Sequence, residues 1–407
     1  MLTNSAVDII VVVFALIAFI DGWRKGAIAA ILAAFATLLG LMSGAYLAPT
    51  IMSYTQATAL RLLLGLGTII LLAGLGNLIG SVLGASLRDG MRFKRTQRVD
   101  SALGSIFQAA VALIIAWLVA IPLATSSTSQ IANGVRNSAI LTEVDKHAPE
   151  AVGQLPAQIS AMLNESGLPP LISPFQKVHT TEVAAPKIKV DNPELVERLR
   201  PSVVHVLADA PQCSRRFSGS GFITAPNTVI TNAHVVAGTE TVRVETVLGV
   251  HEARVVSYNP GEDIAVLHVD ELNLPPLPWA PEPALSGEDT IVMGFPESGP
   301  FEAAPGRIQD RLTINGPNIY ATERTDRETY TVRGTIRQGN SGGPMVDNSG
   351  NVLGVVFGAS VDNTDTGYVL TAAEVRGSLG DPAALTQPVS TQQCVAGDRP
   401  SKATLTH

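Results

Sequence analysis

Charge is scarce in this chain. Only 15% of its 407 residues are Asp, Glu, Lys or Arg, and aromatics make up 5%. Soluble domains carry ~25% charge, so a chain this poor in it is neither disordered throughout nor a polar soluble protein throughout. The formal net charge of −7 supplies no basic field, and nucleic acid is excluded as a partner on that ground. Two cysteines and seven histidines are too few and too scattered for a zinc cluster. No residue set calls for a metal or a cofactor. At about 150 residues per unit, the length predicts two or three units.

The missing charge is missing from one region. Four apolar runs occupy the first 124 residues: Ala6–Ile20, Ala27–Ala48, Leu62–Leu87 and Ala102–Ala124. A bilayer core takes about 20 apolar residues in helical form. Runs two to four meet that outright, and run one does once Leu2 and Asp21–Trp23 are counted. Four such runs in succession predict a transmembrane bundle rather than the buried bundle of a soluble protein. Run one also lacks what a cleaved signal peptide needs, positive charge ahead of its apolar stretch. Met1–Phe19 holds no Lys or Arg, and Arg24 and Lys25 follow the run.

Cations near helix ends stay cytoplasmic. The 22–26 loop carries Arg24 and Lys25, the 49–58 loop carries neither Lys nor Arg, and the 88–98 loop carries Arg88, Arg92, Lys94, Arg95 and Arg98. The alternation places the N-terminus outside the plasma (inner) membrane and everything after residue 125 on the extracytoplasmic side. Gly76, Gly80 and Gly84, with Gly40 and Gly44, repeat every fourth residue, the spacing that lets membrane helices approach closely. Asn77 is placed to hydrogen-bond between helices. In helix number and loop charge, residues 1–124 resemble the four-helix membrane region of the CvpA (colicin V production) family.

Residues 125–195 read as an extracytoplasmic connector. Pro149, Pro156, Pro169, Pro170, Pro174, Pro186 and Pro193 block long helices there. Ile140–Val144 and Ile159–Leu163 can seed short ones. Such a spacer is open to proteolysis, including cleavage by the chain itself.

From Asn192 onward, short β-type runs alternate with Gly, Pro, Asn and Asp. They include Ser202–Leu207, Gly221–Thr224, Val229–Asn232, Thr241–Thr246, Ala253–Tyr258, Ile264–Val269, Thr290–Gly294, Tyr330–Val332, Val352–Phe357 and Tyr368–Leu370. A helical period returns only at Thr371–Leu379. Strands at this spacing predict an all-β sandwich or barrel. The Pro-rich stretch Leu274–Pro283 divides them into two halves of similar strand content, which fits a double β-barrel over 196–380, with a tail over 381–407.

Three local patterns in this segment bear on chemistry. Gly339-Asn340-Ser341-Gly342-Gly343-Pro344 exposes a serine in a tight turn and frees backbone N–H groups to converge on one point. Thr231-Asn232-Ala233-His234-Val235-Val236 ends a strand on a histidine. Asp263-Ile264-Ala265-Val266-Leu267 opens a strand on an aspartate. A serine hydroxyl needs an adjacent base to become a nucleophile, and the base needs a carboxylate to fix its tautomer. Each pattern alone reads as a turn, a structural histidine or a cap. Their order, His, Asp, Ser, and their contexts resemble the chymotrypsin-like (trypsin-fold) serine proteases, most closely the bacterial envelope branch that includes HtrA-type enzymes. The resemblance covers roughly 195–375.

That resemblance implies Ser341 as nucleophile, His234 as general base and then acid, Asp263 as orienting carboxylate, and the N–H groups of Gly339 and Ser341 as oxyanion hole. His205, His251 and His268 lack the small-residue context of His234, and Ser220 falls on the strand beneath the active site. Asn340 stands where digestive relatives carry an Asp that pairs with a new N-terminus, so activation by that ion pair is not expected. About 30 residues follow Val375, leaving no room for the PDZ domain of HtrA-type enzymes. Thr335 falls at the base of the family's specificity pocket and Ala359 on its wall. Neither is acidic, which points away from basic P1 residues and toward small or medium uncharged ones.

Cys213 and Cys394 both fall on the extracytoplasmic side, where an oxidising compartment predicts a disulfide. Arg215 and Arg216 beside Cys213 favour its thiolate and a redox-responsive bridge. The whole arrangement resembles the actinobacterial MarP family of membrane-bound periplasmic proteases. What this implies is a serine endopeptidase anchored in the lipid bilayer, acting on envelope proteins and serving tolerance of acid and oxidative stress. A free imidazole titrates near ~6.5, so acid outside the cell opposes that chemistry. Two other readings are open: a catalytically silent, peptide-binding protease-like module, and a membrane export or channel component with an accessory protease. The second is disfavoured by the lack of charge pairs within the apolar runs.

Overall fold

The computed structural model describes residues 2–52, 58–89, 93–125, 130–147, 157, 180–187, 189–213, 215–359, 365–380 and 384–395. The expected helix at Ile159–Leu163 lies outside the described residues. The chain divides into two compact units, one of residues 1–123 with 130–147, the other of 124–129 with 148–407.

In the first unit the apolar runs become α1 (Leu2–Lys25), α2 (Ala27–Met52), α3 (Thr58–Asp89) and α4 (Lys94–Thr125). Among the described residues, these four helices are long and apolar enough to cross a membrane. The glycine spacing acts as expected. A Cβ on Gly76 would lie 2.1 Å from the Ala36 carbonyl oxygen, on Gly80 2.4 Å from that of Leu32, and on Gly40 2.2 Å from that of Leu72. The backbones of α2 and α3 therefore touch, and Asn77 Nδ2 donates to Thr37 Oγ1 at 3.1 Å across the pair.

The two cation-bearing corners of the bundle meet at one end. Arg88 donates to the Arg24 carbonyl and to Ser101 Oγ, and its Nε lies 3.3 Å from the Asp100 carboxylate. Asp100 in turn accepts the Ile28 N–H at 3.0 Å, at the start of α2. Within the stretch read as connector, α5 (Gln130–Arg136) and α6 (Ala139–His147) form and belong to this unit. Asp8 of α1 accepts the Ser138 hydroxyl and the N–H of Ile140, capping α6, while Trp117 Nε1 donates to Asp145 at 3.0 Å.

The second unit begins its regular structure with α7 (Pro193–Leu199). Asn192 caps it by accepting the Leu195 N–H, and Pro193 sits at its start, where no N–H is needed. Then come β1 (Val203–Ala210), β2 (Arg215–Ala225), β3 (Thr228–Thr231), β4 (Thr241–Thr246), β5 (Gly249–Asn259) and β6 (Ile264–His268), closed in the order β1-β2-β3-β6-β5-β4. After the Pro-rich link, β7 (Asp289–Gly294), β8 (Glu302–Pro317), β9 (Arg324–Gly334), β10 (Pro344–Val346), β11 (Val352–Ala359) and β12 (Thr366–Thr371) close a second barrel in the order β10-β11-β12-β9-β8-β7. The α8 helix (Ala372–Leu379) follows, capped by Thr371.

Each barrel has its own core, with Val206, Ile223, Val244 and Leu267 in the first and Ile308, Tyr330, Met345 and Val369 in the second. A third cluster welds them together. Phe222, Ile230 and Val266 of the first barrel pack with Met293, Val355 and Leu370 of the second, and with Leu195 and Val375 from the helices. The fold is that of a chymotrypsin-like protease domain joined to membrane-type helices. The seam between its barrels is where side chains from both halves converge.

Candidate active site

His234 lies in a short 3-10 turn directly after β3, and Asp263 directly before β6, the strand that pairs with β3. Neighbouring strands thus deliver the two side chains to the same end of the first barrel. His234 Nδ1 donates to Asp263 Oδ2 at 2.7 Å, and the His234 backbone N–H donates to Oδ1 at 2.9 Å. Both carboxylate oxygens are used, so the ring is fixed in position as well as in tautomer. With Nδ1 carrying the proton, Nε2 is left as the acceptor. Both residues are buried. Asp263 takes a left-handed backbone conformation, φ 62°, and its carbonyl is held by Asn232 Nδ2 at 2.7 Å.

Ser341 comes from the second barrel, on the loop between β9 and β10. Gly339 and Gly342 on either side have φ of +94° and +83°. Gly342 is required for a second reason. A Cβ there would lie 2.2 Å from the Ser220 carbonyl oxygen and 3.0 Å from the Asn232 backbone nitrogen. That contact brings the serine loop against the residue two positions before His234. The Ser341 carbonyl accepts the Ser220 N–H at 2.8 Å, completing the approach. Among the described hydrogen bonds none joins Ser341 Oγ to His234 Nε2. Such bonds are often long in enzymes without substrate and tighten on binding.

The loop before the serine is clamped from the neighbouring turn. The Glu297 N–H donates to the Gln338 carbonyl at 2.7 Å. A trans peptide points its N–H opposite its carbonyl, so the Gly339 N–H is aimed away from Glu297. Ser220 Oγ donates to the Gly339 carbonyl at 2.6 Å while accepting the Phe295 N–H at 2.9 Å. Among the described residues, the Gly339 and Ser341 N–H groups have no acceptor within the chain. Asn340 is buried and its Oδ1 accepts the Arg337 N–H at 2.9 Å, tying the loop locally where an activation ion pair was not expected.

Thr335 and Ala359 are both exposed. The residue between this region and the serine loop that sequence reasoning passed over is Ile336. It is buried, and its Cδ1 would lie 2.0 Å from a Cβ on Gly367, the residue paired with Ala359. An apolar chain packed on a bare glycine is a signal visible only after the strands are registered.

Cys213 and Cys394 are joined by a disulfide, with Cα atoms 5.8 Å apart. It fixes the tail beside the histidine. Val395 packs with Ala233, Ala237, Ile319 and Tyr320, and the Gly238 N–H donates to the Thr391 carbonyl at 3.0 Å. Tyr320 donates to the Gln393 carbonyl and shares a 2.6 Å hydrogen bond with Tyr258. Burial pushes both phenols above the usual tyrosine range. Arg216 is paired with Asp209 at 2.8 Å.

Residues 219–355 match the trypsin-like peptidase domain family, and residues 7–149 match the colicin V production protein family. Serine protease Rv3671c of Mycobacterium tuberculosis is 42% identical over 398 residues, covering 97% of this chain and 100% of that one. The human serine protease HTRA4 is 33% identical over 170 residues, 40% of this chain and 35% of its own length. Among solved structures, the active form of the Rv3671c protease aligns with a TM-score of 0.53 at 45% identity, over 56% of this chain and all of that one.

Proposed function

From the membership of this chain in the trypsin-like serine protease family of mycobacterial Rv3671c, we propose that His234, Asp263 and Ser341 form its catalytic triad. The observation that carries this is the two-point grip of Asp263 on His234, facing the glycine-flanked Ser341 loop.

The mechanism follows from the groups in place. His234 Nε2 takes the Ser341 Oγ proton as the oxygen attacks the scissile carbonyl. Asp263 stabilises the imidazolium that forms, without itself taking the proton. The N–H groups of Gly339 and Ser341 receive the oxyanion. His234 then protonates the departing amine, and water, activated by the same imidazole, releases the acyl group from Ser341. A fluorophosphonate probe tests this. Phosphonylation of Ser341 that needs His234 supports it; an intact chain that stays unlabelled contradicts it.

The oxyanion role predicts a further result. Gly339→Ala places a Cβ 2.4 Å from the Phe295 carbonyl oxygen and at a φ that disfavours side chains. Loss of one oxyanion donor lowers kcat by about 10²–10³-fold. The expected outcome is a fall of that order in ester hydrolysis with little change in KM.

The wider reading is an enzyme anchored in the lipid bilayer through residues 1–124. Its N-terminus and its protease domain (196–380) both lie outside the cytoplasm, and it cleaves envelope proteins under acid or oxidative stress. The joined cation-bearing corners of the bundle support a shared cytoplasmic side for Arg24, Lys25 and Arg88. Self-cleavage in 125–195 belongs to the same proposal, as does a small or medium uncharged P1 residue. The packing of Ile336 on Gly367 supports that P1 preference, because it occupies depth beside Ala359.

A further inference from the structure

We infer that Arg327 is a positioning residue for the His234–Asp263 dyad, gripping from the second barrel the turn that carries Asp263. The inference rests on the triad proposed above. Arg327 lies on β9 of the second barrel and is 2% exposed. Its Nε donates to the Gly261 carbonyl at 2.8 Å, Nη2 donates to the same oxygen, and Nη2 also donates to the Pro317 carbonyl at 2.8 Å. Gly261 is two residues before Asp263. A second tie from the same barrel reaches the same turn, the Ile319 N–H donating to the Pro260 carbonyl at 3.3 Å. Asn259 closes the turn from within by accepting the Glu262 N–H. The carboxylate of one barrel is thus placed by the other.

A neutral donor can hold a carbonyl. Burying a guanidinium for that purpose alone is costly, and among the described residues no carboxylate reaches Arg327 at ion-pair distance. What it faces instead is a field. Burial pushes the guanidinium below its ordinary value, and Asp263, Glu262 and Glu374 oppose that push, while Arg324 adds to it. Tyr258 and Tyr320 also feel the charge of Asp263, and both stay neutral. Arg327 is therefore a buried cation that holds the turn of Asp263 from the second barrel. Its planar fork fixes that turn more rigidly than a single neutral donor would.

The test is kcat and KM, per fluorophosphonate-titrated site, for the full-length protein in detergent with an N-acyl-alanine p-nitrophenyl ester as substrate. In Arg327→Gln, which loses the fork, kcat drops by about 10–100-fold with KM unchanged, since the residue touches no substrate. Arg327→Lys keeps a cationic donor without the planar fork and lowers kcat by less. A kcat in Arg327→Gln within twofold of the wild type overturns the inference, as does a loss that falls on KM alone. Should Arg327→Gln fail to fold, Arg327→Lys decides, and a kcat equal to the wild type overturns the inference. A wild type without Ser341-dependent hydrolysis overturns the triad and this inference together, whereas a wild type with it and an unchanged kcat in the variant overturns this inference alone.

Discussion

Replacing Ser341 by alanine lowers kcat for peptide hydrolysis by on the order of 10⁶-fold. The size of the loss follows from the site's construction. The glycines at 339 and 342 take the positive φ that the turn carrying the serine needs, and the hydroxyl there is the nucleophile of the proposed chemistry. The alanine chain keeps every backbone contact described for the loop, including the Ser341 carbonyl bond to Ser220 and the Gly342 N–H bond to Val356. It should therefore fold and bind substrate as the wild type does. A single-turnover assay checks this, and a residual rate within tenfold of the wild type would assign the chemistry to another residue. The two oxyanion N–H groups survive the substitution, so a residual rate about 10³–10⁴-fold above water is expected rather than none.

The second large effect is on stability. Cys213→Ala combined with Cys394→Ala releases a covalent loop with a sequence separation of 181. The chain-entropy account assigns about 5 kcal/mol to a loop of this length, as an upper figure. For a domain near 200 residues, that is a fall in Tm of about 10–20 °C. The loss does not stop at stability. The tail held by Cys394 covers Ala233 with Val395 and takes the Tyr320 hydroxyl on the Gln393 carbonyl. Ala233 precedes the proposed base, so hydrolysis should fall as the tail frees. Differential scanning of the oxidised protein and the double variant measures the first effect and ester hydrolysis the second. An unchanged Tm would mean that the buried contacts of the tail hold it without the bond.

The second barrel was harder to read than the first because its strands do not alternate cleanly. In the first barrel, Val203–Ala210, Thr241–Thr246 and Ile264–His268 are bounded by turns and rich in β-branched residues, which is why runs there matched strands. The longest strand of the domain, Glu302–Pro317, has no such signature. Pro305, Gly306 and Gly316 interrupt it, and Gln309-Asp310-Arg311 place polar groups in its middle. It is held instead by its pairing with β9 along eleven registered positions, information that no local window contains. The three-residue strand Pro344–Val346 was hidden for the opposite reason, being too short to show a period.

The residues of the proposed triad were legible because each sits in a local context that a site needs: glycines around a serine, small residues around a histidine, a turn before an aspartate. The supporting residues were not. Arg327 lies among Thr, Asp and Glu in a polar stretch and looks like a surface charge. Only the folding of β9 against the 259–262 turn buries it. Ile336 is equally silent, since its partner, Gly367, is 31 positions away. The resemblance sets Ser220 beneath the site, but not its hydrogen bond to the Gly339 carbonyl, 119 positions away. Local pattern reveals groups that react and leaves out those that hold them. The membrane-type helices were legible for the same reason in reverse. An apolar run of that length carries its environment in its composition, and the glycine period carries its packing partner.

The central claim is that three side chains from two barrels act as one unit, and the kinetic coupling of their removal tests it most directly. The measurement is kcat/KM for His234→Ala, Ser341→Ala and the double variant in the full-length protein. If the imidazole works only through the Ser341 hydroxyl, the second substitution costs nothing once the first is made, and all three variants share one residual rate within a few-fold. Losses that multiply in the double variant would contradict the account, because they would mean that the two groups act on separate steps or at separate places.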